Sequence, residues 1–208
     1  MTTIVVVRHG ETPWNREGRM QGWAPVPLND TGREQADAAG AWLADHYDVD
    51  AVHASDLLRT KETTERLVSH LHHAPGDTSY ERAWRERDIG VYQGLTYDDV
   101  FDRFPEFGLG EAAVDAADRV PDSGESLVDV YERVTSRFES ILADADSDET
   151  RLVVTHGGPV YMLLGHVEDL DIKTAVLDHS IDNCGVTVFE HADGETRAVE
   201  KNGRSWDD

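Results

Sequence analysis

Ile4-Val5-Val6-Val7-Arg8-His9-Gly10-Glu11-Thr12 is the stretch on which the reading of this chain turns. Its first four residues are a short unbroken run, aliphatic and β-branched, which suits a strand buried on both faces. The run ends in an arginine, a histidine and a glycine. A histidine at the end of a strand can be exposed without steric cost. Arg8 offers a planar fork of N–H donors that matches phosphate oxygens. Gly10 is expected to remove a side chain that would block the approach of backbone to an anion.

Working outward, the pattern alternates strand with helix. Asp30 or Thr31 is expected to cap a helix running to about Tyr47, with Ala36, Ala39, Trp42 and Leu43 on one side. Asp50 to Ala54 reads as a second strand. Ser55 or Asp56 then caps a helix to about Leu71. Trp84 to Gly94 reads as loop, Tyr97 to Phe104 as a short helix, and the acidic sequence up to residue 120 as irregular. Ser126 to Ala143 carries Leu127, Val130, Val134, Phe138 and Ile141 at helical spacing. Arg151 to Thr155 is another buried-type strand, followed by a helix from about Pro159. A terminal hairpin turns at Asp193-Gly194. With neither repeats nor a long linker, residues 1–208 read as a single domain. The expected fold class is α/β, a three-layer sandwich with a mostly parallel central sheet and helices on both faces. In such sheets the ligand crevice lies beyond the carboxyl ends of the strands. His9, Arg59 and His156, nearly 150 residues apart at the extremes, each follow a strand and can converge there.

The motifs extend this. Arg8-His9-Gly10-Glu11-Thr12 is followed by Trp14 and Asn15; Ser55-Asp56-Leu57-Leu58-Arg59-Thr60 follows the second strand. Glu86 sits in Trp84-Arg85-Glu86-Arg87-Asp88-Ile89-Gly90, and Thr155-His156-Gly157-Gly158 follows the later strand. Together they resemble the histidine phosphatase superfamily, the phosphoglycerate-mutase-like fold, over nearly the whole chain. The resemblance implies that His9 is a nucleophile, that Arg8 and Arg59 clamp phosphate, and that His156 binds the phosphoryl group. It also implies that Glu86 donates a proton to the leaving group. A general acid needs a carboxyl group able to hold a proton near neutral pH, which a nearby dianionic phosphate favours. Asp88 is close enough to rival Glu86 for that role. The Gly157 and Gly158 N–H groups, opening a helix, can add an anion pocket. Asn15, Gln21 and Asn183 are second-tier candidates for contact with substrate. Neither a metal nor an organic cofactor is required. His70, His72 and His73 cluster near a helix end without a clear third metal ligand.

Bulk composition narrows the partners. Lys and Arg number 19 against 42 Asp and Glu, a net charge of −23. That field repels nucleic acid and anionic membranes, so neither is an expected partner. No apolar run approaches a membrane span. The N-terminus lacks the basic region of a signal peptide. Cys184 is the only cysteine, which excludes a disulfide framework and makes a cytoplasmic location the default. The acidic excess reads as a halophile-type surface that stays hydrated in concentrated salt. Thermal melts across salt concentration should then show the protein loosening in dilute buffer; full stability there would sink the reading.

The expected activity is a phosphomonoester hydrolase, a histidine acid-type phosphatase passing through phosphohistidine and acting on a small phosphorylated metabolite. The alternative is a cofactor-dependent phosphoglycerate mutase. Mutases of this family carry adjacent arginines after the Glu86 loop, whereas residues 95–121 here hold only Arg103 and Arg119, apart and among acids. A non-catalytic phospholigand-binding module is a third reading. Trp14, Trp23, Trp84, Tyr92 and residues 95–121 are candidates for shaping the leaving-group pocket. The oligomeric state, a homodimer included, is left open.

Overall fold

The computed structural model describes residues 1–72, 78–108 and 110–207. Its strands are β1 (Thr2–Arg8), β2 (Ala51–Ser55), β3 (Thr78–Glu81), β4 (Thr150–Thr155), β5 (Val186–Ala192) and β6 (Glu195–Gly203). They form one sheet in the order β3-β2-β4-β1-β5-β6. The β1–β4, β2–β4 and β2–β3 pairs are parallel, while β5 and β6 add on antiparallel. The helices are α1 (Pro13–Arg16), α2 (Asp30–His46), α3 (Leu58–His70), α4 (Tyr97–Arg103), α5 (Glu111–Asp115), α6 (Leu127–Asp144), α7 (Gly157–Val167) and α8 (Ile172–Leu177). None of them is long and apolar enough to cross a membrane.

The opening run explains the layering. Successive side chains of a strand point to opposite faces, and Ile4 to Val7 are all fully buried. Ile4 and Val6 pack into a cluster with Val130, Val134 and Phe138 of α6 and Val160 of α7. Val5 and Val7 pack on the other face with Ala36, Ala39 and Leu43 of α2 and Leu67 of α3. Helices therefore cover both faces of a sheet whose centre is parallel, as the pattern predicts. The terminal hairpin is also present: Asp193 (φ 55°) and Gly194 (φ 80°) make its turn.

Local details differ from expectation. Asn29, rather than Asp30 or Thr31, caps α2, its side chain accepting from the Gly32 N–H. Neither Ser55 nor Asp56 caps α3. Leu57 holds the cap position without a side-chain bond, Ser55 ends β2, and Asp56 pairs with Arg85. The helix after β4 starts at Gly157, two residues before Pro159. The short, half-polar strand β3 and the helix α5 are additions to the expected pattern.

Register positions the chemistry. Arg8 pairs with Thr155 across β1 and β4, so His9 and His156 are the next residues out on adjacent parallel strands. Ala54 pairs with Val154, which brings Ser55 level with Thr155, one residue short of His156, on the other side of β4.

Candidate active site

The sheet's ladder continues one residue past β1, the His9 N–H donating to the Thr155 carbonyl at 2.9 Å. The His9 carbonyl accepts from Asn183 Nδ2 at 2.9 Å, and the Gly10 N–H donates to Thr63 Oγ1 at 3.1 Å. The main chain is thus held on several sides, and the imidazole is 3% exposed. His9 Nδ1 lies 2.7 Å from the Gly10 carbonyl oxygen. A carbonyl can only accept, so Nδ1 carries the proton and Nε2 presents its lone pair. Arg59 Nε donates to that Nε2 at 3.2 Å. Burial, reinforced by Arg59 and Arg8, holds His9 well below the usual imidazole range. The ring is therefore neutral at neutral pH.

Gly10 has a different reason from the one expected. A Cβ at position 10 would lie 2.4 Å from the Gly32 carbonyl oxygen, and one at position 32 would lie 2.0 Å from that of Glu11. The glycine pair lets the histidine loop and the first turn of α2 touch; room for an anion is not what Gly10 supplies.

Arg59 occupies the first turn of α3 and is 1% exposed. Its Nη2 donates to the Gly22 carbonyl at 2.8 Å and its Nη1 to that of Ala24 at 3.2 Å. Burial pushes its pKa down to about 10, which still leaves it charged at neutral pH. Arg8 is tethered through Nη1 to the Ile181 carbonyl, while its Nε is buried without a partner among the described residues. His156 is fully buried just behind the residues that line the cleft, with its ring centroid 5.1 Å from that of His9. Its Nε2 lies 2.9 Å from Ser55 Oγ, and its Nδ1 is likewise buried without a partner. Burial first, then Arg59 and His9, keeps it well below the usual imidazole range.

Glu86 closes the far side. Its Oε2 accepts from the Gly158 N–H at 3.2 Å and its Oε1 from the Arg87 N–H at 2.9 Å. Arg133 Nη2 and Trp23 Nε1 hold its carbonyl, fixing the loop. A Cβ at position 158 would lie 2.2 Å from Glu86 Oε1, so only glycine there leaves the carboxylate in place. Asp88 instead accepts from the Gly90 N–H within its own turn and does not line the cleft. Arg85 is turned away onto Asp56.

The cleft encloses about 890 Å³ of space, part of it open to solvent, and is lined by Arg8, His9, Asn15, Gln21, Arg59, Glu86 and Gly157. Thr12 Oγ1 sits 3.0 Å from both Asn15 Oδ1 and Gln21 Oε1; the Thr12 N–H already donates to Asn15 Oδ1, which leaves the one hydroxyl hydrogen for Gln21. Asn183 braces His9 from behind and does not line the cleft.

Of the aromatic candidates for the pocket, none of the four named singly lines it. Trp84 is in the core, Trp23 lies under Arg82 and Arg85, Trp14 packs near Gly94, and Tyr92 stacks on Phe107. Residues 95–121 do contribute, through Tyr97, Phe107 and Gly108. Tyr161 also lines the cleft and went unmarked by the sequence, and Arg87, whose facing the sequence left open, lines it as well. Arg87 is 5% exposed, with Nε on the Glu125 carbonyl and Nη2 on that of Arg119. Away from the cleft, His70 lies 3.4 Å from Asp37, and His73 falls outside the described residues. Among the described residues no group of three or more His, Cys, Asp or Glu could hold a metal ion.

Known proteins resemble this chain in sequence and in fold. The family model described as histidine phosphatase superfamily (branch 1) matches residues 4–203. Phosphoglycerate mutase-like protein 4 of Arabidopsis thaliana is 35% identical over 201 residues, which is 95% of this chain and 83% of that protein. A metal-independent phosphoserine phosphatase of the same organism is 34% identical over 158 residues, covering 76% of this chain and 65% of that one. The solved structure of Bacillus stearothermophilus YhfR superposes with a TM-score of 0.86 at 28% identity, covering 99% of both chains.

Proposed function

We propose, for a chain that belongs to the histidine phosphatase superfamily (branch 1), that it is a phosphomonoester hydrolase working through a phosphohistidine on His9. One observation carries the reading. Beside a buried neutral imidazole whose unprotonated Nε2 is held by Arg59 Nε, Arg8 Nε and His156 Nδ1 are buried without partners among the described residues, although buried polar groups are nearly always hydrogen-bonded. An incoming phosphoryl group gives both nitrogens something to bind.

In the first step His9 Nε2 attacks phosphorus in line, and the ester P–O bond breaks. Arg8, Arg59 and His156 neutralise the charge that develops on the equatorial oxygens. Glu86 protonates the departing oxygen. In the second step water attacks the phosphohistidine while Glu86 takes its proton, and inorganic phosphate leaves. Asn15, Gln21 and Gly157 line the floor on which the substrate rests.

The mutase reading draws support from the mutase-like relative and from Arg87, a buried cation in the cleft. Against it, Arg119 is 64% exposed and pairs with Glu106, and Arg103 lies over Phe104. Neither lines the cleft, so the adjacent arginines that mutases carry after the Glu86 loop have no counterpart there among the described residues. Coupled assays of phosphoglycerate isomerisation beside phosphate release decide between the two. Efficient isomerisation with little release would reverse the assignment. Failure of His9 to be labelled by a phosphate donor would favour a binding module instead.

Residues 1–208 are taken as one functional unit whose substrate is a small phosphorylated metabolite. The depressed His9 supports an acid-type phosphatase, since the nucleophile stays unprotonated below neutral pH. The acidic surface supports a halophile-type protein, and the single buried cysteine supports a reducing, cytoplasmic setting.

A further inference from the structure

The hydrogen-bonding pattern of Ser55 goes a step further, and the inference rests on the phosphoryl-transfer reading above. We infer that Ser55 is a positioning residue that fixes the tautomer of His156, so that His156 Nδ1–H is the donor offered to the phosphoryl group.

Ser55 ends β2 and is fully buried. Its Oγ accepts the Leu57 N–H at 3.3 Å and meets His156 Nε2 at 2.9 Å. Among the described residues it has no other partner. A hydroxyl carries one hydrogen and two lone pairs. If His156 Nε2 were protonated, both the Leu57 N–H and the imidazole N–H would point at Oγ. The serine hydrogen would then be buried without an acceptor. If Nε2 is the acceptor instead, the serine hydrogen goes to it, the Leu57 N–H goes to Oγ, and every group is used. Neutral imidazole then has its proton on Nδ1. That is the nitrogen left without a partner in a ring 5.1 Å from His9. Burial keeps the ring neutral, so only one of its two nitrogens holds a proton and the serine decides which.

The serine is held in turn. Thr60 Oγ1 lies 2.7 Å from the Leu57 carbonyl oxygen and 3.0 Å from that of Ser55, so its one hydrogen ties the end of β2 to the first turn of α3. That turn also carries Arg59, so one short segment sets both the arginine clamp and the histidine proton. The two histidines carry the proton on the same atom for opposite purposes. In His9 the Gly10 carbonyl occupies Nδ1–H and leaves Nε2 unprotonated, where Arg59 Nε holds it for attack, whereas in His156 the serine occupies Nε2 and frees Nδ1–H to donate.

The test is long-range ¹H–¹⁵N NMR on histidine-labelled protein, with His156 assigned by comparison with His156→Gln. In the unaltered protein His156 should show the Nδ1–H pattern; an Nε2–H pattern overturns the inference whatever the enzyme does. In Ser55→Ala the pattern should become mixed or reverse. The kcat should fall about tenfold to a hundredfold with little change in KM, less than the outright loss of one donor to a developing anion because His156 itself remains. Ser55→Thr, which keeps the hydroxyl, should restore the Nδ1–H pattern wherever it folds. An alanine variant that keeps both the Nδ1–H pattern and full kcat also overturns the inference. If the tautomer is as expected but no phosphomonoester is turned over, the failure lies with the functional reading and not with Ser55.

Discussion

His9→Ala is expected to abolish turnover of every phosphomonoester the unaltered protein hydrolyses, a loss of roughly 10⁴-fold or more, as for other covalent nucleophiles. The argument is geometric. The lone pair of Nε2 is the group that the Gly10 carbonyl, Arg59 and the burial of the ring combine to present. No neighbouring side chain can take its place: His156 Nε2 is committed to Ser55, and Cys184 is fully buried with its thiol pushed up to about 12. The loop itself should survive, because its bonds to Thr155, Thr63 and Asn183 are made by the backbone of residues 9 and 10. The check pairs steady-state phosphate release with thermal melts. A folded variant that retains substantial activity eliminates the phosphohistidine route.

Arg59→Met should produce the second-largest effect, a fall in kcat/KM of about 10²- to 10³-fold, the scale of removing a transition-state donor. The methionine fills much of the same volume and removes the charge and the fork together. It also releases the Gly22 and Ala24 carbonyls, so the loop after the first motif should loosen as well. Stripping partners from buried groups costs about 1–3 kcal/mol, but removing a desolvated cation offsets part of that. The stability change should therefore be smaller than the catalytic one. Arg59→Lys should not rescue, since a single ammonium cannot reach His9 Nε2 and both carbonyls at once. A methionine variant within tenfold of the parent would show that Arg59 is structural only.

The sequence made the frame legible because its signals were redundant. Ile4 to Val7 had to be a doubly buried strand, and the same strand-then-histidine pattern recurred at Thr155-His156. The register of a parallel sheet then placed the two histidines side by side. What it hid were residues whose role depends on a partner far along the chain. Ser55 looked like a helix cap because serine favours that position, yet its hydroxyl is taken by a histidine 101 residues away. Gly10 looked like anion space, and the carbonyl of Gly32 explains it better. Arg85 and Arg87 flank Glu86 alike in the sequence, and only the backbone of residues 119 and 125 shows why Arg87 is the one buried in the cleft. Thr78–Glu81 has no apolar alternation because it is a short edge strand with little to bury.

Two neutral imidazoles in one closed site have a cost that lies outside catalysis. In the unfolded chain each histidine titrates near 6.5; in the native protein burial holds both well below that. As pH falls below 6.5 the unfolded chain takes up protons that the native one refuses, so folding stability drops with acid. The slope is about 1.4 kcal/mol per pH unit for each histidine, until the native values are reached. Urea denaturation between pH 7 and 5 should show that decline, and His9→Ala should lessen it by removing one of the two protons. A stability flat across that range would contradict the neutral burial of the pair. Acid therefore works against the fold at this pair over the range in which both rings stay neutral. The catalytic centre is also the acid fuse of the fold.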